Sequence, residues 1–573
     1  MQLTEHTFKS WDGAELLYRA WLPEQPTDKA IFLFHRGHEH SGRWQETVES
    51  LGLEDVAVFA WDQRGHGRSP GERGYADNLA DVIKDADVFA RHVCRTHGFA
   101  LQNILVMAHS VGAVIAAAWV HDYGPPIRGL VLGTPAFRVK LYVPFAVPLL
   151  RLKQKLLGKG VVKSYVKAKM LTHDPWQAEA YKADPLIFRQ IAVNILLDLQ
   201  DTSTRLMADA GAITVPTLML AAGSDWVVKV SAQREFYERL GSPIKQLELF
   251  PGYYHAIFHE ADRQRVVDRV RAFVRDCFTR PADRIGLLEA DQGGFTRTEY
   301  DLLRCPSGLR WRLMRAGMKS FGRLSQGVRL GLQWGFDSGV MLDYVYENKA
   351  RGTTPLGRLI DRFYLNSIGW RGIRVRRENL ERMLRHCILE THQAGRPVRV
   401  LDIAAGAGRY VLETLRSISP LAVQATLRDY KQENLSAARR MAEKLGVSDV
   451  TFVQGDAFDR ASLAAVTPRP TISIVSGLYE LFPENDCVLR SLQGIADAMD
   501  EGGHLIYTCQ PWHPQVEFIA RTLTNREGQP WIMRRRTQAE MDELVTSCGF
   551  EKIDQAIDPW GIFTVSLARR VSR

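Results

Sequence analysis

Three residues far apart in the chain have the types and the order that acyl transfer needs. Ser110 lies in NILVMAHSVGAVIAAA (103–118), Asp225 in LAAGSDWVV (220–228) and His255 in LELFPGYYHAIFHE (247–260). A serine hydroxyl is a weak nucleophile until a base takes its proton and a third group orients that base. The order nucleophile, acid, histidine suits a site in which the serine stands on a sharp strand-to-helix turn. That turn is usually G-x-S-x-G. Here Ala108 replaces the first glycine and Gly112 keeps the second, so the turn remains sterically possible. An oxyanion needs backbone N–H donors, and FHRGHEHSGRW (34–44) places a glycine turn near the same sheet edge. Gly37 and Val111 are the candidate donors. His35, His38, His40, His66, His109 and His259 also lie near these motifs, and each is read as structural. His259 is the main rival of His255, but HEAD reads as the start of a helix, whereas His255 sits in the loop before it.

A second chemistry is suggested by VRVLDIAAGAGRYVLETL (398–415), an apolar strand, a small-residue turn and then a helix. Such a turn lets backbone amides approach a ligand, and the helix N-terminus adds positive potential. Asp429 ends the next strand, where a carboxylate can accept from ribose hydroxyls. Asp456, in GDAFD, ends the third strand, and SGLYELF (476–482) follows the fourth. A nicotinamide-type G-x-G-x-x-G is not met, because after Gly406 and Gly408 the third position is Val411.

Elements that can position both sets follow from the hydropathy pattern. Short apolar runs at 29–35, 55–61, 103–109, 129–135, 216–222 and 245–250 alternate with helical patterns, which predicts a mostly parallel sheet covered by helices. The alternation stops between about 136 and 212, which reads as an inserted helical lid. HEADRQRVVDRVRAFVRDCF then closes the unit as an amphipathic helix. A second alternation runs through 396–405, 421–429, 449–456, 470–477 and 502–510. The expected plan is α/β with two tandem α/β domains: residues 1–280, a basic helical connection over 281–370, and residues 371–573. The connection is rich in Arg, Gly and aromatics. It reads as a helical connector packed on either domain, or alternatively as a basic amphipathic element for an anionic membrane surface. RFYLNSIGWRGIRVRRENL (362–380) would cover a pocket or touch a phosphate.

With five motifs in order, FHRGHEHSGRW, WDQRGHGRSPGERG, AHSVG, GSDWVV and GYYHAIFHE, residues 1–280 resemble the monoacylglycerol lipase and lysophospholipase group of serine α/β-hydrolases. The resemblance implies ester hydrolysis by Ser110, Asp225 and His255 beneath a helical lid. Arg36 departs from the family glycine after the motif histidine and would narrow or charge the acyl-binding mouth. Residues 370–573 resemble the Rossmann-like class I methyltransferases that bind S-adenosyl-L-methionine (SAM). By that resemblance Asp402, Ala404, Gly406 and Gly408 flank the methionine moiety, Ala404 standing for the usual first glycine. Asp429 would hold the ribose, and Asp456 with Ala457 would meet the adenine. Tyr479, Glu480, Trp512 and His513 are candidates to line an acceptor pocket.

Composition bounds the rest. The 573 residues are 45% hydrophobic and 24% charged, a folded multidomain composition, with a net charge of +9. Seven scattered cysteines without a C-x-x-C pair argue against a disulfide framework and a structural zinc site, so no metal is expected. The N-terminus lacks a signal-peptide pattern, and no apolar run approaches the roughly 18 residues of a membrane span. The expectation is a cytoplasmic bifunctional enzyme of lipid metabolism, with a small-molecule or lipid ester substrate and peripheral contact at an anionic membrane. The competing reading is a nucleic-acid methyltransferase carrying an inactive hydrolase-like binding module. It is disfavoured because no RNA-binding module or base-stacking motif is present, so no nucleic-acid partner is expected.

Overall fold

Residues 1–143, 145–281, 286–306 and 308–571 are described by the computed structural model. The chain divides into two units, Met1–Ile285 and Gly286–Arg573. The first carries an eight-stranded sheet. Its strands are β1 (Gln2–Lys9), β2 (Glu15–Leu22), β3 (Ala30–Phe34), β4 (Ala57–Trp61), β5 (Ile104–His109) and β6 (Gly129–Gly133), followed after an insert by β9 (Thr217–Ala222) and β10 (Lys245–Phe250). The insert contributes a small separate antiparallel pair, β7 (Val161–Lys163) and β8 (Gln190–Ala192). The sheet order is β1-β2-β4-β3-β5-β6-β9-β10, parallel from β4 to β10. The antiparallel pair β1–β2 was not legible in the apolar runs.

Pleating explains why β3 is apolar throughout. Ile31 and Leu33 join the core formed with Val48, Leu51, Val266 and Val270, from the helices Gln45–Leu51 and Gln264–Thr279. Phe32 and Phe34 point to the other face, where they meet Phe89 and Trp119 from the helices Leu79–His97 and Val111–Tyr123. A strand covered on both faces needs no polar alternation. The insert expected over 136–212 holds the helices Ala146–Leu157, Pro175–Ala183 and Val193–Ala208.

The second unit has seven strands: β11 (Arg399–Asp402), β12 (Gln424–Asp429), β13 (Val450–Gln454), β14 (Ile472–Val475), β15 (His504–Cys509), β16 (Phe550–Ile557) and β17 (Thr564–Arg570). Their order is β13-β12-β11-β14-β15-β17-β16. The first five are parallel, and β17 joins β15 and β16 antiparallel.

Of the two domains on which the basic connection over 281–370 could pack, it packs on the second. Residues 286–370 are part of the second unit; residues 282–285 lie outside the described residues. The reason is burial. Val328, Phe336, Met341 and Leu365 form one core with Trp370, Ile519 and Phe563. Asp361, fully buried, ties the helices together: it accepts from Ser325 Oγ at 2.5 Å, Gly327 N at 2.8 Å, Tyr344 Oη at 2.5 Å and Arg351 N at 2.8 Å. Among the described residues no helix is long and apolar enough to cross a membrane.

Candidate functional site

Ser110 directly follows β5 with φ 56° and ψ −113°, an unusual backbone for a residue with a side chain, and the helix Val111–Tyr123 begins directly after it. Such strain concentrates at functional sites. Asp225 stands three residues past β9 and His255 five past β10, on neighbouring parallel strands. His255 bridges the other two: its Nδ1 is 2.8 Å from Asp225 Oδ2, and its Nε2 is 2.8 Å from Ser110 Oγ. All three are at most 3% exposed. Asp225 Oδ1 accepts from the N–H groups of Val227 (2.7 Å) and Val228 (2.9 Å). Burial works to raise the pKa of Asp225, but His255 and these two donors prevail and hold it below its ordinary value. An ionised Asp225 requires a proton on Nδ1, which leaves Nε2 free to accept the Ser110 hydroxyl proton.

The loop that carries His255 is held independently. His109 Nε2 and Thr134 Oγ1 each lie 3.0 Å from the His255 carbonyl oxygen. The buried Glu260 accepts from Tyr254 N at 2.7 Å and from His173 N at 3.0 Å. A Cβ at Gly37 would come within 3.0 Å of the Val111 side chain, so the two candidate oxyanion donors adjoin.

The remaining histidines have structural partners. His259 Nε2 is 3.0 Å from the Arg43 carbonyl, His66 Nδ1 3.0 Å from the Arg64 carbonyl, and His35 Nε2 accepts from Gln63 N at 3.1 Å. Arg36 is 5% exposed, pairs with Glu39 at 2.5 Å and stacks over Tyr181 at 5.2 Å. Its charge is compensated inside the fold, which corrects the expectation of a charged mouth.

In the second unit the turn after β11 presents bare backbone. Gly406 has φ 55°, and a Cβ there would meet nothing within 4 Å. Gly408, with φ 65°, precedes the helix Arg409–Ile418. Such a turn lets the polar face of a ligand approach the backbone closely. Asp429 shapes it: Oδ2 accepts from Gly406 N at 2.8 Å, while Oδ1 accepts from Lys431 N and Asn434 Nδ2, each at 2.9 Å. Asp402 is buried, accepts from Ala404 N at 3.3 Å and is bonded by the Tyr410 hydroxyl; burial pushes its pKa up to about 7. Asp456 is exposed, with Oδ1 accepting from Phe458 N at 2.9 Å, and Ala457 is buried beside it.

Of the four acceptor-pocket candidates, Glu480 and His513 line a cavity beside β14 and β15. Tyr479 is packed, with its hydroxyl donating to Ser491 Oγ at 2.9 Å, and Trp512 packs against the core of residues 328–563. Sequence reasoning missed MRRR (533–536). Arg534, Arg535 and Arg536 are at most 2% exposed. Arg536 donates to the Tyr479 carbonyl at 2.6 Å and Arg535 to the Pro511 carbonyl at 2.6 Å, pinning the loops after β14 and β15. Three adjacent cations read as surface in a sequence, and the cue that was available is Glu540, which follows six residues after Arg534 and pairs with it at 2.6 Å.

A family model described as "Putative methyltransferase" matches residues 270–570, and one described as "Serine aminopeptidase, S33" matches residues 25–262. The "Uncharacterized protein YnbC" of Escherichia coli (strain K12) is 49% identical over 575 residues, spanning 99% of this chain and 98% of that protein. The "Monoacylglycerol lipase" of Mycolicibacterium smegmatis is 29% identical over 275 residues, 47% of this chain and 96% of that one. The "Monoglyceride lipase" of Homo sapiens is 29% identical over 261 residues, 44% of this chain and 82% of its own. Likeness to the lipases thus covers the first unit alone.

Proposed function

This chain belongs to the family described as "Putative methyltransferase", and on that premise we propose an enzyme with two sites: a serine hydrolase of lipid-like carboxylic esters in the first unit and a SAM-dependent methyltransferase in the second. The observation that carries the hydrolase is the single imidazole within 2.8 Å of both Ser110 Oγ and Asp225 Oδ2. Ser110 Oγ attacks the ester carbonyl while His255 Nε2 takes its proton. Asp225 stabilises the imidazolium, and the N–H groups of Gly37 and Val111 receive the developing oxyanion. His255 then gives the proton to the leaving alcohol, and water releases the acid by the same steps. An assembled triad favours this over an inactive binding module. The lipase names of the relatives favour a monoacylglycerol-like ester, and a lysophospholipid-like ester is the other candidate.

In the second unit Asp402, Ala404, Gly406 and Gly408 would hold the methionine part of SAM, Asp429 the ribose, and Asp456 with Ala457 the adenine. When bound, SAM supplies an electrophilic methyl group. The chain has mainly to align the acceptor, which is why few groups are obligatory. Peripheral contact with an anionic membrane from the cytoplasmic side belongs to the same reading. Leu309 and Leu313 are 66% and 64% exposed, and Arg310 and Arg312 lie between them, an apolar and basic pairing suited to that surface.

A fluorophosphonate probe should label the wild type and not Ser110→Ala; equal labelling overturns the hydrolase. SAM should give heat in a calorimeter, lost in Asp429→Ala; no heat from the wild type overturns the methyltransferase. Lipid profiles of cells carrying either variant should reproduce part of what deletion changes.

A further inference from the structure

A cavity of about 610 Å³ lies in the second unit beside the carboxyl ends of β14 and β15. That is within the range of roughly 300–1,000 Å³ typical of small-molecule sites. Its walls come from the helices between 309 and 365, from the helix Ile368–Gln393 and from residues 510–533. The walls are mostly apolar, with Met318, Ile360, Phe518, Leu523 and Met533 among them. Met314 and Phe363 line the cavity and are also 38% and 72% exposed, so it reaches the surface where apolar side chains face solvent.

The polar end is small and electrically balanced. Three charged side chains line the cavity, and each is paired: Asp337 with Arg526 at 2.9 Å, and Arg376 with Glu480 at 3.4 Å. His513 is buried, and burial pushes its pKa down to about 3, so its ring is neutral. Three donors of lining residues are buried without a partner among the described residues: Nε2 of Gln510, Nε of Arg376 and Nε1 of Trp531. A buried donor without an acceptor is costly, and a turn of the Gln510 amide into the cavity would let a ligand oxygen relieve it.

We infer that this cavity binds a neutral single-chain amphiphile, with its alkyl chain among the apolar walls and an uncharged hydroxyl or carbonyl oxygen at Gln510. A fatty carboxylate fits poorly, because Arg376 is already neutralised by Glu480 and a second carboxylate would be buried unpaired. A cationic head finds no unpaired anion among the lining residues described. As the identity of the methyl acceptor, the inference rests on the proposed methyltransferase; as a binding site, it stands without SAM.

The test uses the full chain and 1-O-hexadecylglycerol below its aggregation concentration, since the ether link resists the hydrolase site. Calorimetry should show saturable binding, with palmitate and hexadecyltrimethylammonium at least about tenfold weaker, as expected where one charge is buried unpaired. Gly317 lines the cavity from the helix Leu309–Ser320, and a Cβ there meets nothing within 4 Å. Gly317→Phe should therefore fill the cavity and weaken the ether about tenfold or more, whereas Gly317→Ala should retain it. Leu523→Trp, from a different segment, should reproduce the loss, and Gln510→Leu should weaken binding about fivefold, as for one lost hydrogen bond. Ether binding untouched by both filling variants, palmitate bound as tightly as the ether, or no ether binding at all overturns the inference. SAM heat is read on the same samples. Retained SAM heat without ether binding sinks this inference alone, and ether binding without SAM heat sinks the methyltransferase alone.

Discussion

Gly112 runs directly beneath His35: a Cβ on Gly112 would stand 2.4 Å from the His35 carbonyl oxygen and 2.7 Å from that of Phe34. The first turn of the helix after Ser110 is thus pressed against the end of β3. Ala108 is different. It lies inside β5, registered against Phe34 and Leu132, and its methyl is accommodated there with no exposure. The two small positions flanking the serine are therefore not equivalent. The second is a backbone contact, and the first tolerates a methyl.

Gly112→Ala should accordingly displace the helix, cost about 1–3 kcal/mol as overpacking does, and remove most ester hydrolysis. Ala108→Gly should cost only about 0.5–1 kcal/mol, the usual penalty of glycine within a strand, and keep the activity. Urea unfolding and an ester assay on the two variants make the comparison.

Asp225→Asn tests the orientation of His255. The asparagine oxygen can still accept from the Val227 and Val228 N–H groups, so the loop should remain folded. Its amide cannot accept from Nδ1, and the imidazole is left in the wrong tautomer. A fall in kcat of roughly 10⁴-fold with unchanged thermal unfolding is expected. A loss of tenfold or less would mean that Asp225 does not orient the base.

The two units should respond differently to acid. In the first, burial pushes His38 and His259 down to about 4 and His66 to about 3. The unfolded chain binds protons near 6.5 while these rings stay neutral, so each costs about 1.4 kcal/mol of stability per pH unit below 6.5 until its folded value is reached. Asp81, raised by burial to about 6, works in the opposite direction over part of the window. In the second unit His513 (about 3) has the same sign as the other histidines. Asp402 (about 7) offsets it, because a carboxyl raised in the fold recovers stability as pH falls toward its unfolded value. Denaturant unfolding of the full chain between pH 7 and 5 should show the first transition moving to lower denaturant and the second nearly stationary. Equal movement of both would contradict this.

Arg534→Met should unfold the second unit readily. Arg534 and Glu540 are 0% and 1% exposed as side chains, and Arg534 also donates to Asn485 Oδ1 at 2.7 Å and the Pro483 carbonyl at 2.6 Å. Removing the cation strands a buried carboxylate, at a cost of about 3–5 kcal/mol. Arg536, 3.8 Å from Glu540, moderates the loss. The double change Arg534→Met with Glu540→Leu should recover much of it, read as the denaturant midpoint of the second transition.

Local signals carried much of this protein. The apolar runs marked the eleven strands from β3 to β6 and from β9 to β15, most plainly where a run is continuous and bounded by turn residues, as in 104–109 and 472–475. Ser110, Asp225 and His255 were readable because each stands in a short motif, in an order that one sheet edge can gather. What needed the tertiary structure were interactions whose partners are distant and whose residue types mislead. Residues 286–370 look like a connector until Val328 and Met341 are seen packed with Ile519 and Phe563. Arg534 to Arg536 look like surface until Glu299, Asn485 and Glu540 close around them. A chain announces its own periodicity and turns, since those depend on neighbours in sequence. Whether a charge is buried, or which wall a helix supplies, depends on groups two hundred residues away, and only folding brings them together.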